Sequence, residues 1–229
     1  MPASQFKDFI MPVAQELSNL GIKTAASPTL EFWETYPKYS FRPSGPGEGV
    51  SNGRFASRLF PRSSFVDAKS EEFVAIMASI RTWVETGGYG FHSVDYHPSL
   101  ETAGYPGAHS AVNPHLRKAA MHATGFDTAS YGPESTPEDM IKSHKRLSEF
   151  ADRWRAASPG SGAYMNEADT EEPNFQSSFY GSNYDRLLKI KNERDPWGAL
   201  YVVTGVGSDQ WKVEGTSGLP TQQGRLCRV

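Results

Sequence analysis

Cysteine is almost absent: Cys227 is the single one, which rules out an internal disulfide and any cysteine-rich metal site. There is also no Asn-x-Ser/Thr acceptor for N-glycosylation. No apolar run approaches the roughly 20 residues of a membrane-spanning helix. Met1 to Leu20 carries Gln5, Lys7, Asp8, Gln15 and Glu16 where a signal peptide would hold its apolar centre. No membrane partner is expected, and localisation stays open. Neither sign of charge dominates: 23 Lys and Arg against 26 Asp and Glu give a net charge of -3, with no basic stripe to neutralise phosphates. Nucleic acid is therefore not an expected partner. Hydrolase chemistry lacks support, because there is no Gly-x-Ser-x-Gly elbow and Cys227 has no marked general base. The glycine-rich stretch from Gly45 to Gly53 lacks the Gly-Lys-Ser/Thr ending of a phosphate loop and the strand-turn-helix setting of a dinucleotide fingerprint.

Apolar material, by contrast, is sufficient for a core. Hydrophobic residues make up 38% of the 229, with 13 Phe, 10 Tyr and 5 Trp, and a chain of this length can bury roughly 70% of the surface its unfolded form exposes. Phe6, Phe9, Ile10, Val13, Leu17 and Leu20 recur at helical spacing and Gly21 follows as a cap, predicting an amphipathic helix with a covered apolar face that begins or bends at Pro12. Tyr36 to Gly53 reads as a long loop. Phe55 to Pro61 is a brief apolar stretch. Ser70-Glu71-Glu72 opens a second helix with Phe73, Ile76, Met77, Ile80, Trp83 and Val84 inward, closed by Gly87-Gly88.

The best strand is Tyr89 to Tyr96, with Phe91, Ser93 and Asp95 on one face and His92, Val94 and Tyr96 on the other. A short helix is expected over His115 to His122 behind Asn113-Pro114, then a weak strand around Phe126. Thr136-Pro137-Glu138-Asp139 starts the clearest helix, with Met140, Ile141, His144, Leu147, Phe150, Ala151 and Trp154 as its buried stripe. This order predicts an α+β fold, a mostly antiparallel sheet with helices packed on one face.

Few constellations of reactive side chains stand out. Tyr164 and Asn166 lie one residue apart, so an extended backbone would place a phenol beside an amide on one face. On spacing alone the pair also fits a strand end with a packed Tyr and a turn-forming Asn. Asp95 and His97 share a strand face, but no third ligand is positioned by the sequence, and no metal site is expected. His144 lies in an apolar stripe and reads as a core histidine.

The tail nevertheless resembles the C-terminal signature of berberine-bridge-enzyme-like, FAD-linked oxidoreductases of the vanillyl-alcohol-oxidase type, in their fungal form. The resemblance rests on Ala163-Tyr164-Met165-Asn166-Glu167-Ala168-Asp169, on Phe175, and on Tyr180-Gly181-x-Asn183-Tyr184-x-Arg186-Leu187-Leu188-x-Ile190-Lys191. It continues through Asp195-Pro196-x-Gly198, Thr204-Gly205-Val206-Gly207-Ser208-x-x-Trp211 and Arg225-Leu226-Cys227-Arg228. Upstream, Ser57-Arg58-Leu59-Phe60-Pro61-Arg62 and Ala111-Val112-Asn113-Pro114-x-x-Arg117 look similar to substrate-domain segments of the same proteins.

What the resemblance implies is a partial substrate domain over 1–160 and a return segment over 161–229 that packs on a flavin domain. It implies FAD as cofactor, a small-molecule substrate, and hydride transfer to flavin N5 with a base taking the proton. Tyr164 becomes the candidate base or electrostatic helper, Asn166 the contact to the flavin ring, and Asp95 and His97 weaker pocket-lining candidates. The family's phosphate-binding segment has no counterpart here. The expected partner is thus an FAD-binding half, without which the chain is expected to be inactive and to expose a sheet edge. The alternative is a non-catalytic chain that binds a partner or ligand.

Overall fold

The computed structural model describes residues 3–22, 33–40, 53–104, 107–127, 134–219, 221 and 223–229. Two compact units divide the chain, 1–49 and 50–229. The first contains α1 (Ala3–Asn19) and the short α2 (Tyr36–Ser40). Helix α1 runs through Pro12, and Gly21 at φ 75° ends it, its N–H donating to the Ser18 carbonyl. Its apolar stripe is not covered as the pattern predicts: Phe9 is 67% and Leu20 66% exposed. Most of the loop read between Tyr36 and Gly53 lies outside the described residues.

The second unit is built on β1 (Arg54–Pro61), α3 (Glu71–Glu85), β2 (Gly90–Asp95), α4 (Leu100–Ala103), α5 (Pro114–Lys118), β3 (Ala119–Asp127) and α6 (Pro137–Ala157). Beyond these lie α7 (Tyr184–Arg194), β4 (Trp211–Glu214) and β5 (Arg225–Arg228), the last two forming a separate antiparallel ribbon. The three-stranded sheet has the order β1-β3-β2, antiparallel throughout. Together with the helices on one face, this is the α+β arrangement expected.

Local signals account for the helices. Ser70 accepts from the Phe73 N–H to start α3, with Glu71 and Glu72 at the positive end of the dipole. A reciprocal Thr136/Asp139 capping box starts α6. Both helices lie on the sheet face that carries Ala56, Phe60, Phe91 and Ala123. There Trp83 and Trp154 stack with centroids 4.4 Å apart, and Ile76 and Leu147 are fully buried. Ile141, expected inward on α6, is 37% exposed.

The helix read over His115 to His122 is corrected. Helix α5 stops at Lys118, and the following residues form β3, the central strand. Because β3 is buried on both faces, it lacks the polar alternation that marks a half-exposed strand. Its small residues make room for the tryptophans: a Cβ on Gly125 would meet the Trp83 ring at 2.2 Å and Trp154 at 2.8 Å.

The outer edge of β1 is closed by the tail. The Leu59 N–H donates to the Gly162 carbonyl, and the Ser57 hydroxyl bridges the Tyr164 N–H and carbonyl at 2.9 and 3.2 Å. This blunts an edge that would otherwise offer unpaired backbone groups.

Candidate functional site

Tyr164 hangs where the chain leaves this edge. Its backbone is extended, and Met165–Glu167 then forms a single 3-10 turn. The strand-like alternation expected for Tyr164 and Asn166 is thus replaced by a turn. The turn brings the two side chains together all the same: Asn166 Nδ2 donates to the Tyr164 phenol oxygen at 2.8 Å. Both residues are exposed.

Two buried carboxylates hold this turn. Asp169, 2% exposed, receives His144 Nε2 at 2.6 Å, the Ser148 hydroxyl at 2.7 Å and the Glu171 N–H at 2.9 Å. Burial opposes its ionisation, but the hydrogen bonds from His144, the Glu171 N–H and Ser148 prevail and hold its carboxyl below the usual range. His144 Nδ1 meets Glu171 Oε2 at 2.7 Å, so this histidine is the satisfied core residue the sequence suggests. Glu172 accepts from Arg58 at 3.2 Å, Arg155 at 2.6 and 3.0 Å, and the Ser178 hydroxyl at 2.8 Å. Asn113, inside one of the resembling segments, donates to the Ala163 and Ser178 carbonyls at 3.1 and 2.8 Å.

Beneath Tyr164 lies the sheet face turned away from α3 and α6. The register sets Ser57 and His92 beside Thr124, and Leu59 and Val94 beside His122. The His122 ring stands nearly perpendicular to the Tyr164 ring, at 82° and 5.2 Å. Burial keeps His122 below the usual histidine range, partly countered by the Glu167 charge. Tyr96, on the same side, is pushed up to about 12 by burial, with the charges of Tyr164 and Glu167 adding to it.

The other sequence candidates sit elsewhere. Asp95 ends β2 on the alternate face, with Phe91 and Ser93, and His97 follows the strand; both are exposed, and the structure does not bring them to the Tyr164–His122 cluster. His122, Thr124, Tyr96 and Glu167 were missed as site residues. The i, i+2 pair His122 and Thr124 would have been visible had 119–127 been read as a strand. Among the described residues no group of three or more His, Cys, Asp or Glu could hold a metal ion. A cavity of about 480 Å3 adjoins the turn, lined by Met165, Asn166, Asp169, Val202 and Thr204. A larger one, about 670 Å3, lies beside Arg54, Phe55, Met140, His144 and Leu219, on other residues than the Tyr164–His122 cluster.

The mixed fold of helices on an antiparallel sheet matches part of a vanillyl-alcohol-oxidase-type flavoprotein. Residues 163–206 match the family described as berberine and berberine like. The chain is 30% identical to the bifunctional decalin synthase calF of Penicillium decumbens, covering 99% of this chain and 37% of that protein. It is 30% identical to the VAO-type flavoprotein oxidase VAO615 of Thermothelomyces thermophilus, covering 96% and 36%. The FAD-linked oxidoreductase patO of Aspergillus clavatus is likewise 30% identical. The crystal structure of the VAO-type flavoprotein MtVAO615 from Myceliophthora thermophila C1 superposes with a TM-score of 0.75 at 26% identity, over 97% of this chain and 38% of that one. The chain is thus a relative of the berberine-bridge-enzyme-like, vanillyl-alcohol-oxidase-type group of FAD-linked oxidoreductases. It spans little more than a third of the curated relatives' length, consistent with a C-terminal portion of them.

Proposed function

We propose that the chain supplies the substrate side of an FAD-dependent oxidoreductase that oxidises a small organic molecule. The observation that carries this reading is the Asn166 to Tyr164 hydrogen bond at the surface, inside the berberine-like segment and over the open sheet face. FAD, when bound, would accept hydride from the substrate carbon.

The residues present suit part of that cofactor. An exposed amide with a free carbonyl oxygen beside a phenol fits the edge of a planar hydrogen-bonding ring, so Asn166 would hold the flavin and Tyr164 would face the substrate. The glycine-rich phosphate cradle of a dinucleotide site is not found among the described residues, so the pyrophosphate would be held by a partner half. Because Asn166 fills one acceptor position on the phenol oxygen, the Tyr164 proton is free to point at a substrate oxygen. In its ionised form the same oxygen accepts the substrate's proton, and the Asn166 N–H stabilises that charge.

Two measurements test the reading. The purified 229-residue chain is expected to carry little flavin, whereas the enzyme that includes the FAD half shows flavin absorbance and turnover. Replacing Tyr164→Phe in that enzyme is expected to lower kcat by about 100- to 10,000-fold. Unchanged turnover in this variant removes the role given to Tyr164, and absence of flavin from the complete enzyme removes the reading as a whole.

A further inference from the structure

His122 sits in the sheet beneath Tyr164 with 6% of its surface exposed. Its Nε2 is 3.2 Å from the Thr124 hydroxyl oxygen, and that hydroxyl lies 3.0 Å from Glu167 Oε2, to which it donates. A hydroxyl has one proton to give and an ionised carboxylate has none. With the Thr124 proton committed to Glu167, the same oxygen can only accept at its other contact, so the His122 proton resides on Nε2. Nδ1 is left as the one acceptor nitrogen of the ring.

The chain of contacts closes on itself. Glu167 belongs to the same turn as Tyr164, its N–H donating to the Tyr164 carbonyl at 3.1 Å. Glu167 thus reaches Tyr164 twice, once along the backbone and once through Thr124 and the perpendicular His122 ring. The charged or titratable groups that act on His122 are Glu167 and His92, and Tyr96 interacts electrostatically with both Tyr164 and Glu167.

We propose that Glu167 is a positioning residue for Tyr164: through the Thr124 hydroxyl it fixes His122 as the Nε2–H tautomer, and the His122 ring then fixes the plane of the Tyr164 phenol. The catalytic meaning of this device rests on the function proposed above, but the tautomer and the ring placement do not. Held this way, the phenol oxygen keeps its direction whether or not a ligand is present, and that fixed direction is a part of catalysis that binding alone does not provide.

The test uses the 229-residue chain labelled with 15N-histidine and ring-13C-tyrosine. Long-range proton–nitrogen correlation at neutral pH is expected to show His122, identified by the loss of its signals in His122→Gln, as the Nε2–H form. Thr124→Val and Glu167→Ala are expected to give mixed tautomers and to abolish the ring-current shift of Tyr164, and Thr124→Ser to restore both. An Nδ1–H signal in the unaltered chain overturns the proposal without any variant, so a poorly folding substitution does not rescue it. Unchanged tautomer and Tyr164 shift in Glu167→Ala also overturn it. In the complete flavin enzyme, Glu167→Ala is expected to lower kcat between about 10- and 100-fold with KM little altered. If the complete enzyme proves not to be a flavin oxidoreductase, the function falls while the spectra still decide the positioning.

Discussion

Arg58 and Glu172, 114 positions apart in the chain, meet at 3.2 Å with side chains only 6% and 3% exposed. Arg58 comes from β1 and Glu172 from the segment beyond the Met165–Glu167 turn, so this pair ties the sheet to the site. Burial lowers the Arg58 pKa from its usual value, and the Glu172 charge only partly restores it. Arg155, which shares Glu172, is raised instead: its burial is outweighed by the hydrogen bonds it donates to Glu172 and Asp152 and by their charges. Removing Glu172 leaves the buried Arg58 charge uncompensated, so Glu172→Ala is expected to cost about 3–5 kcal/mol in urea denaturation, and Arg58→Ala less, because Glu172 keeps its pairing with Arg155. The double variant should lose less than the sum of the two. Strict additivity would mean that the two side chains do not act as a pair.

Gly125 offers a sharper test of the core. A single methyl there would overlap the ring of Trp83 and press on Trp154, with aromatic walls that have no room to retreat. Gly125→Ala should lower stability by about 1–3 kcal/mol or more, an unusual outcome for the smallest enlargement available. A melting temperature equal to that of the parent would show that the two rings do not lie as described.

Acid should loosen the second unit. His122 and His115 are both lowered by burial, so the folded chain resists protonation at each more than the unfolded chain does. Their stabilising contribution is therefore present above the ordinary histidine range and is lost as pH falls below it. The lowered Asp169 adds a later loss, beginning below the unfolded carboxylate range and complete once pH passes its folded value. Thermal melts carried from pH 8 down to about pH 2 should fall in that order, and His122→Gln should flatten the first step.

Alkali gives a separate signature. Tyr96 and Tyr180 are both pushed up to about 12, in each case first by burial. Spectrophotometric titration should show a late-ionising fraction of the phenols, reduced in Tyr96→Phe. Because the raised values favour the neutral form, the stability these residues contribute is complete below the ordinary tyrosine range and is lost as pH rises through about 12.

The termini of α3 and α6 were legible because capping is local chemistry: Ser70 with its acids and the Thr136/Asp139 box announce themselves within four residues. Strand β2 was legible for a similar reason, since one face is open and its residues alternate. Strand β3 was not. Flanked by β1 and β2 and covered by tryptophans on one side and by the Tyr164 turn on the other, Ala119 to Asp127 has no wet face to write a polar period into its sequence. That single misreading also hid His122 and Thr124, which lie on the other sheet face from Asp95. Tyr164 and Asn166 could be paired from an extended spacing that the structure replaces with a turn, and their roles came only from likeness to known proteins.

The stacked indoles of Trp83 and Trp154, 4.4 Å apart and inclined at 30°, have an optical consequence. Two such transition dipoles at that separation couple strongly and should give circular dichroism a paired positive and negative band near the indole absorption in the far ultraviolet. Since the pair forms only when α3, α6 and β3 close around Gly125, the band reports whether the platform under Tyr164 has assembled, with no label and no ligand. It can be read in any fragment or assembled form of the protein that keeps residues 50–229.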